Sequence, residues 1–126
     1  MPEFMTRTWE DNREHYAELV SHHSLKPIPA VAAMLDLVKA IEQSRYACGL
    51  YAWTSMHDLC IVQTPVVHPY QGPFLRISPT SDGNLDFRYI DTISEHHQWH
   101  RVVAPELGFS RLEHFLKQLH WFTLAE

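Results

Sequence analysis

The chain predicts an α+β fold: an antiparallel sheet of four strands, with room for a fifth, one face covered by helices, in the order α-α-β-β-β-β-(β)-α. Three observations predict it. Apolar residues recur at helical spacing over 29–46 and 110–122. The period changes to two between residues 50 and 91. The strand runs are joined by short polar turns, which suits antiparallel neighbours and excludes parallel crossovers.

The spacing predicts a first helix over 8–22. Thr8 followed three residues later by Asp11 makes a capping box, and Glu10 and Asp11 face the positive end of the helix dipole. Trp9, Tyr16, Leu19 and Val20 form its apolar stripe. Pro27 and Pro29 break the chain before a second helix over 29–46, with Pro29 in its first turn. Val31, Met34, Leu35, Val38 and Ile41 line one face of that helix, and Gly49 is placed to end it in a left-handed conformation.

Strands follow over 50–54 and 59–64, joined by the polar turn 55–58 into a hairpin, and both are rich in β-formers. Residues 65–73 hold Pro65, Pro69, Pro73 and Gly72 and read as an irregular loop. A third strand spans 74–78 and a fourth 85–91, joined through Asp82-Gly83. Residues 92–104 favour a fifth, edge strand, although Ser94-Glu95 is also suited to start a short helix. The final helix, over 110–122, is expected to take Ser110 and Glu113 as its capping box and to bury Leu112, Phe115, Leu116, Leu119 and Phe122.

Composition narrows the function classes. The 126 residues are 45% apolar and 20% charged, enough for one core and one domain. Glu3-Phe4 is what a common cloning site encodes, so residues 1–4 read as a cloning remnant, Met5 as the native start and 5–126 as the domain. No run approaches the roughly 18 apolar residues of a membrane span, and no basic segment followed by an apolar one opens the chain; a cytoplasmic setting is expected. The net charge of −5 and the lack of a cationic stripe argue against a nucleic-acid partner. Cys48 and Cys60 are too few for a disulfide framework and lack metal-ligand spacing; both are expected as buried, reduced thiols.

The strand alternation supplies the candidate site. If Leu75, Ile77, Leu85, Phe87 and Tyr89 face the helices, then Phe74, Arg76, Asp86 and Arg88 face outward, joined by Tyr51 and Trp53 from the first strand. Arg, Trp and Tyr are the residues enriched in binding hot spots. Cross-strand ion pairing on an ordinary solvated sheet is the plainer account of the same residues. The proline-stiffened loop 64–73 adds Val66, Val67 and Tyr70, either exposed as a recognition element or folded over one end of the core.

Chemistry-bearing patterns are sparse. Ten histidines are many for this length, and His96 and His100 are weak metal-ligand candidates, with Glu95 placed to orient an imidazole. No His-Glu-x-x-His pattern, nucleophile elbow or Gly-rich phosphate loop is present, so no catalytic residue, metal or cofactor is assigned. Small size, acidity and the lack of an active-site signature are shared with bacterial immunity proteins and other small inhibitors, an analogy that no residue motif carries. The leading expectation is therefore a non-enzymatic binding protein. It would engage a protein partner or its own copy through Arg76, Arg88, Asp86, Trp53 and Tyr70. The alternative is a small-molecule-binding domain or enzyme in which Arg76 and Arg88 hold an anionic substrate and His68 or His100 acts as general base.

Overall fold

A computed structural model describes residues 4–22, 30–70, 72–91 and 98–121. It has three α-helices and a five-stranded antiparallel sheet: α1 (Trp9–His22), α2 (Val31–Glu42), β1 (Tyr51–Ser55), β2 (Asp58–Val62), β3 (Phe74–Pro79), β4 (Leu85–Ile90), β5 (His100–Val103) and α3 (Gly108–Leu119). The strands lie side by side in chain order, β1-β2-β3-β4-β5, each antiparallel to the next. The α+β class and the helix–strand order match the sequence reading, with the fifth strand present. None of the described helices is long and apolar enough to cross a membrane.

The core sits between the sheet and the helices. Ala52, Leu59, Ile61, Leu75, Ile77, Leu85, Phe87 and Val103 face it from the strands. Val31, Met34, Leu37, Val38 and Ile41 meet them from α2, and Leu112, Phe115 and Leu116 from α3. Alternation along β3 and β4 is responsible: each buried residue is followed by one only half-buried. α1 packs on α2 and runs along β1. Thr8 caps it as the sequence suggests, its Oγ1 accepting from the Asp11 N–H at 3.0 Å.

Several local expectations fail, each for a physical reason. In α1 the inward position after Trp9 belongs to Asn12, 1% exposed, while Val20 is exposed. The Asn12 amide donates to the carbonyls of Thr8 at 3.0 Å and Ala52 at 3.3 Å, which satisfies a backbone acceptor on the open side of β1. The Arg7 N–H reaches the same Ala52 oxygen at 2.8 Å. α2 ends at Glu42, and Ser44 caps a separate 3₁₀ turn, Arg45–Cys48, by accepting from the Tyr46 N–H. Gly49 then follows at φ −130°, so it is no left-handed terminator. α3 begins at Gly108, continuing out of the 3₁₀ turn Pro105–Leu107, which leaves Ser110 inside the helix rather than capping it. Cys48 is exposed, since its turn lies on the surface; Cys60 is buried as expected. Pro29, Ser94-Glu95 and Phe122 lie outside the described residues.

Candidate functional site

The outer face of the sheet is organised by register. Trp53 pairs with Cys60, Cys60 with Arg76, Arg76 with Arg88, and Arg88 with His100. These five side chains therefore form one row across the whole sheet, all pointing away from the core. The two-residue turn Met56-His57 fixes the start of that register by pairing Ser55 with Asp58. Its first residue, Met56, adopts φ 59° and is almost fully exposed.

The row divides into two halves of different chemistry. On the β1–β3 side an aromatic mat covers the strands. The Trp53 and Phe74 rings stand 5.3 Å apart, and Tyr70 meets Trp53 edge-on at 6.1 Å. Strands β1 and β3 are two strand spacings apart, roughly 9–10 Å, so the two rings lean toward each other over β2. Cys60 and Val62, which face outward from β2, are consequently only 1% and 2% exposed. Burial pushes the Cys60 thiol up to about 12, with the Arg76 cation opposing and the Asp58 carboxylate adding to the rise. An inert, protonated thiol is the result, unsuited to nucleophilic work.

The β3–β5 half is ionic. Arg76 and Arg88 face each other directly, an arrangement that repels unless each is neutralised. Arg76 Nε donates to Asp58 Oδ2 of the neighbouring strand. Arg88 Nη2 lies 3.6 Å from Asp86 Oδ2, and its Nη1 donates to Gln98 Oε1 at 3.4 Å. His100 Nδ1 approaches the other Asp86 oxygen, Oδ1, at 3.5 Å. That oxygen is closed off from solvent and accepts no hydrogen bond.

All five predicted site residues are thus found on or beside one face, but their surroundings differ from a bare binding surface. Arg76, Arg88 and Asp86 are half-buried and ion-paired, Arg76 with Asp58 and Arg88 with Asp86. Trp53 and Tyr70 pack together rather than standing free. The loop takes an intermediate course between the two readings of the sequence. Val67 is exposed, Val66 and Tyr70 are half-buried, and the Tyr70 hydroxyl donates to the Pro73 carbonyl at 2.8 Å. The loop is also tied to the first described residues: Met5 N–H donates to Val66 O at 2.7 Å and Phe4 bridges to Val67.

Phe74 faces outward as the alternation predicts, whereas Asp58, Gln98 and the placement of His100 beside Asp86 escaped the sequence reading. Counting back from a two-residue turn would have found Asp58, since it then shares a face with Cys60 and sits diagonal to Arg76. The other two depend on how far side chains reach across strands. His96 and His97 lie outside the described residues. Among the described residues, no group of three His, Cys, Asp or Glu side chains comes together in a way that could hold a metal ion. The cavities of about 350 and 390 Å³ lie elsewhere, one between α2 and the start of α3 and one around Trp9 and Tyr51.

No protein-family model, curated protein or solved structure shows significant similarity to the chain.

Proposed function

We propose that this protein is a non-enzymatic binding protein that engages a protein partner, or its own copy, through the outer sheet face and the loop over 64–73. The observation that carries the reading is the row Trp53–Cys60–Arg76–Arg88–His100. It has an aromatic half and an ionic half, and with Tyr70 beside Trp53 it offers Trp, Tyr and Arg, the residue types enriched in hot spots. The intramolecular ion pairs are compatible with this role, because they hold the guanidinium groups in place before a partner arrives. The net charge of −5 favours a basic partner and steers its approach.

The cavities of about 350 and 390 Å³ are not lined by Arg76, Arg88 or His100, which weighs against the enzymatic alternative. A substrate site built on Arg76, Arg88 and His100 would need a concave pocket to exclude water, and these side chains lie on a strand surface. His68, the other proposed base, is exposed in the loop.

The test combines sedimentation of the purified chain with affinity capture from cell extract, for the unaltered protein and for Arg76→Ala/Arg88→Ala. Circular dichroism should report an intact fold in the double variant. Self-association, or retention of a specific captured protein, should be lost. Equal association by a folded double variant would remove this face from consideration.

A further inference from the structure

We propose that the aromatic-walled cavity between the end of the sheet and α3 binds a small free cation of the trimethylammonium class. This goes beyond the outer-face reading, because the cavity opens on the opposite, helix-covered side of the sheet. Tyr89 comes from the end of β4 and Trp99 from the residue before β5, and the Tyr89 N–H donates to the Trp99 carbonyl at 2.9 Å. The two side chains are therefore cross-strand neighbours on one face. Phe115 of α3, 2% exposed, forms the floor. Its ring centroid lies 5.0 Å from that of Trp99 and 5.6 Å from that of Tyr89, with interplanar angles of 48° and 60°. Trp121 backs the group, 6.1 Å from Tyr89 and 6.2 Å from Phe115.

A cavity of about 260 Å³ opens among these rings, with Gln118 and Leu119 completing its lining. It is smaller than the roughly 300–1,000 Å³ typical of pockets for drug-sized ligands, and so fits a single compact head group. Mutually tilted aromatic faces attract cations through their quadrupoles, and quaternary ammonium ions, which lack N–H donors, are held by such faces alone. Among the described residues, Arg45 sits over the Tyr46 ring at 5.4 Å, and no described cation is seated over Tyr89, Trp99 or Phe115.

Charges of both signs lie around the cavity. Burial, then the Asp91 carboxylate, then Tyr70 raise the Tyr89 hydroxyl above its ordinary value, which places Asp91 within electrostatic reach of the ring. The C-terminal end of α3, at Leu119, is the negative end of the helix dipole, offset by Lys117 in its last turn and by the His120 N–H, which donates to the carbonyls of Leu116 and Lys117. Arg101 and Lys117 are the cations on the adjoining stretches of β5 and α3; both are exposed, as Asp91 is, so solvent and salt screen all three alike and the attraction for a cation rests on the aromatic faces.

The experiment titrates the full chain with tetramethylammonium and with choline, following backbone and indole resonances, and repeats the titration with 3,3-dimethylbutanol, the neutral isostere of choline. Saturable shifts centred on Tyr89, Trp99 and Phe115 are expected for the cations, with the neutral isostere about ten-fold weaker than choline. Trp99→Ala should weaken the cations about ten-fold while the melting temperature stays close to the original, because Trp99 is already 36% exposed. Asp91→Asn, at an exposed and screened position, should change the cation affinities by less than Trp99→Ala does. Equal affinity for choline and its neutral isostere, shifts centred elsewhere, or no saturation would overturn the proposal. So would a trimethyl-lysine peptide that binds far more tightly than choline, since the occupant would then be a protein tail.

Discussion

Phe87 and Arg88 are adjacent in β4, yet they belong to two different surfaces. Phe87 is 0% exposed and faces Leu and Ile side chains from neighbouring strands and helices. Arg88 faces Arg76, Asp86, Gln98 and His100. One pleat separates a face that holds the protein together from a face that is free to do something else. The inner face is uniform, because any apolar side chain of suitable volume can fill it. The outer face is heterogeneous, because each polar group there needs a particular neighbour.

The largest expected effect lies on the inner face. Phe87→Ala removes a fully buried ring and should cost about 3–5 kcal/mol, a large part of the roughly 5–15 kcal/mol that separates a folded domain from its unfolded chain. Urea denaturation read by tryptophan fluorescence measures it, and a loss below about 1 kcal/mol would mean that the core closes around the gap.

Cys60 is where the two-face contrast breaks down, since it points outward but is as buried as the core. A thiol reagent should modify Cys48 of the native protein rapidly and Cys60 only as fast as the protein unfolds. At pH 8 a thiol with a pKa of about 12 is ionised to roughly one part in ten thousand. The same burial has a pH consequence. The Cys60 thiol stays neutral in the folded state up to about 12, whereas in the unfolded chain it ionises near its ordinary value of 9. Unfolding then releases a proton, so stability is full below pH 9 and declines as the pH rises from about 9 to 12. Cys60→Ala should flatten part of that decline, and rapid labelling of both thiols would show that the aromatic mat is open.

The smallest effect belongs to the ionic half. Arg88→Ala should change stability by no more than about 1 kcal/mol, because a half-exposed ion pair is weak and screened. A change comparable with that of Phe87→Ala would mean that the outer face is structural, and would leave it little room for a partner. Set beside the binding test on Arg76→Ala/Arg88→Ala, this measurement separates a face kept for stability from one kept for recognition.

Much of the inner face was legible in the sequence because burial writes itself as periodicity. Leu75, Ile77, Leu85 and Phe87 alternate with polar neighbours, and Val31, Met34, Val38 and Ile41 repeat at helical spacing. Termini were less legible. Ser110 with Glu113 satisfies the capping pattern, yet Pro105 starts a 3₁₀ turn that carries the chain into α3 three residues earlier. Asn12 defied its residue type altogether, because its role is to satisfy a carbonyl 40 residues away.

The sequence by itself determined the fold class, the strand order in the chain and the inward or outward direction of the residues in β3 and β4. Those follow from local propensity and from the fixed period of a strand, which act within a few residues. Only the tertiary structure decided that Asp58 neutralises Arg76, that Trp53 and Phe74 close over Cys60, that His100 comes to Asp86, and that Tyr89, Trp99 and Phe115 surround a cavity. These are meetings between side chains from different strands and helices. The Met56-His57 turn fixes the register of the first hairpin locally, but side-chain reach across strands and helices sets these meetings, and no local pattern in the chain encodes it.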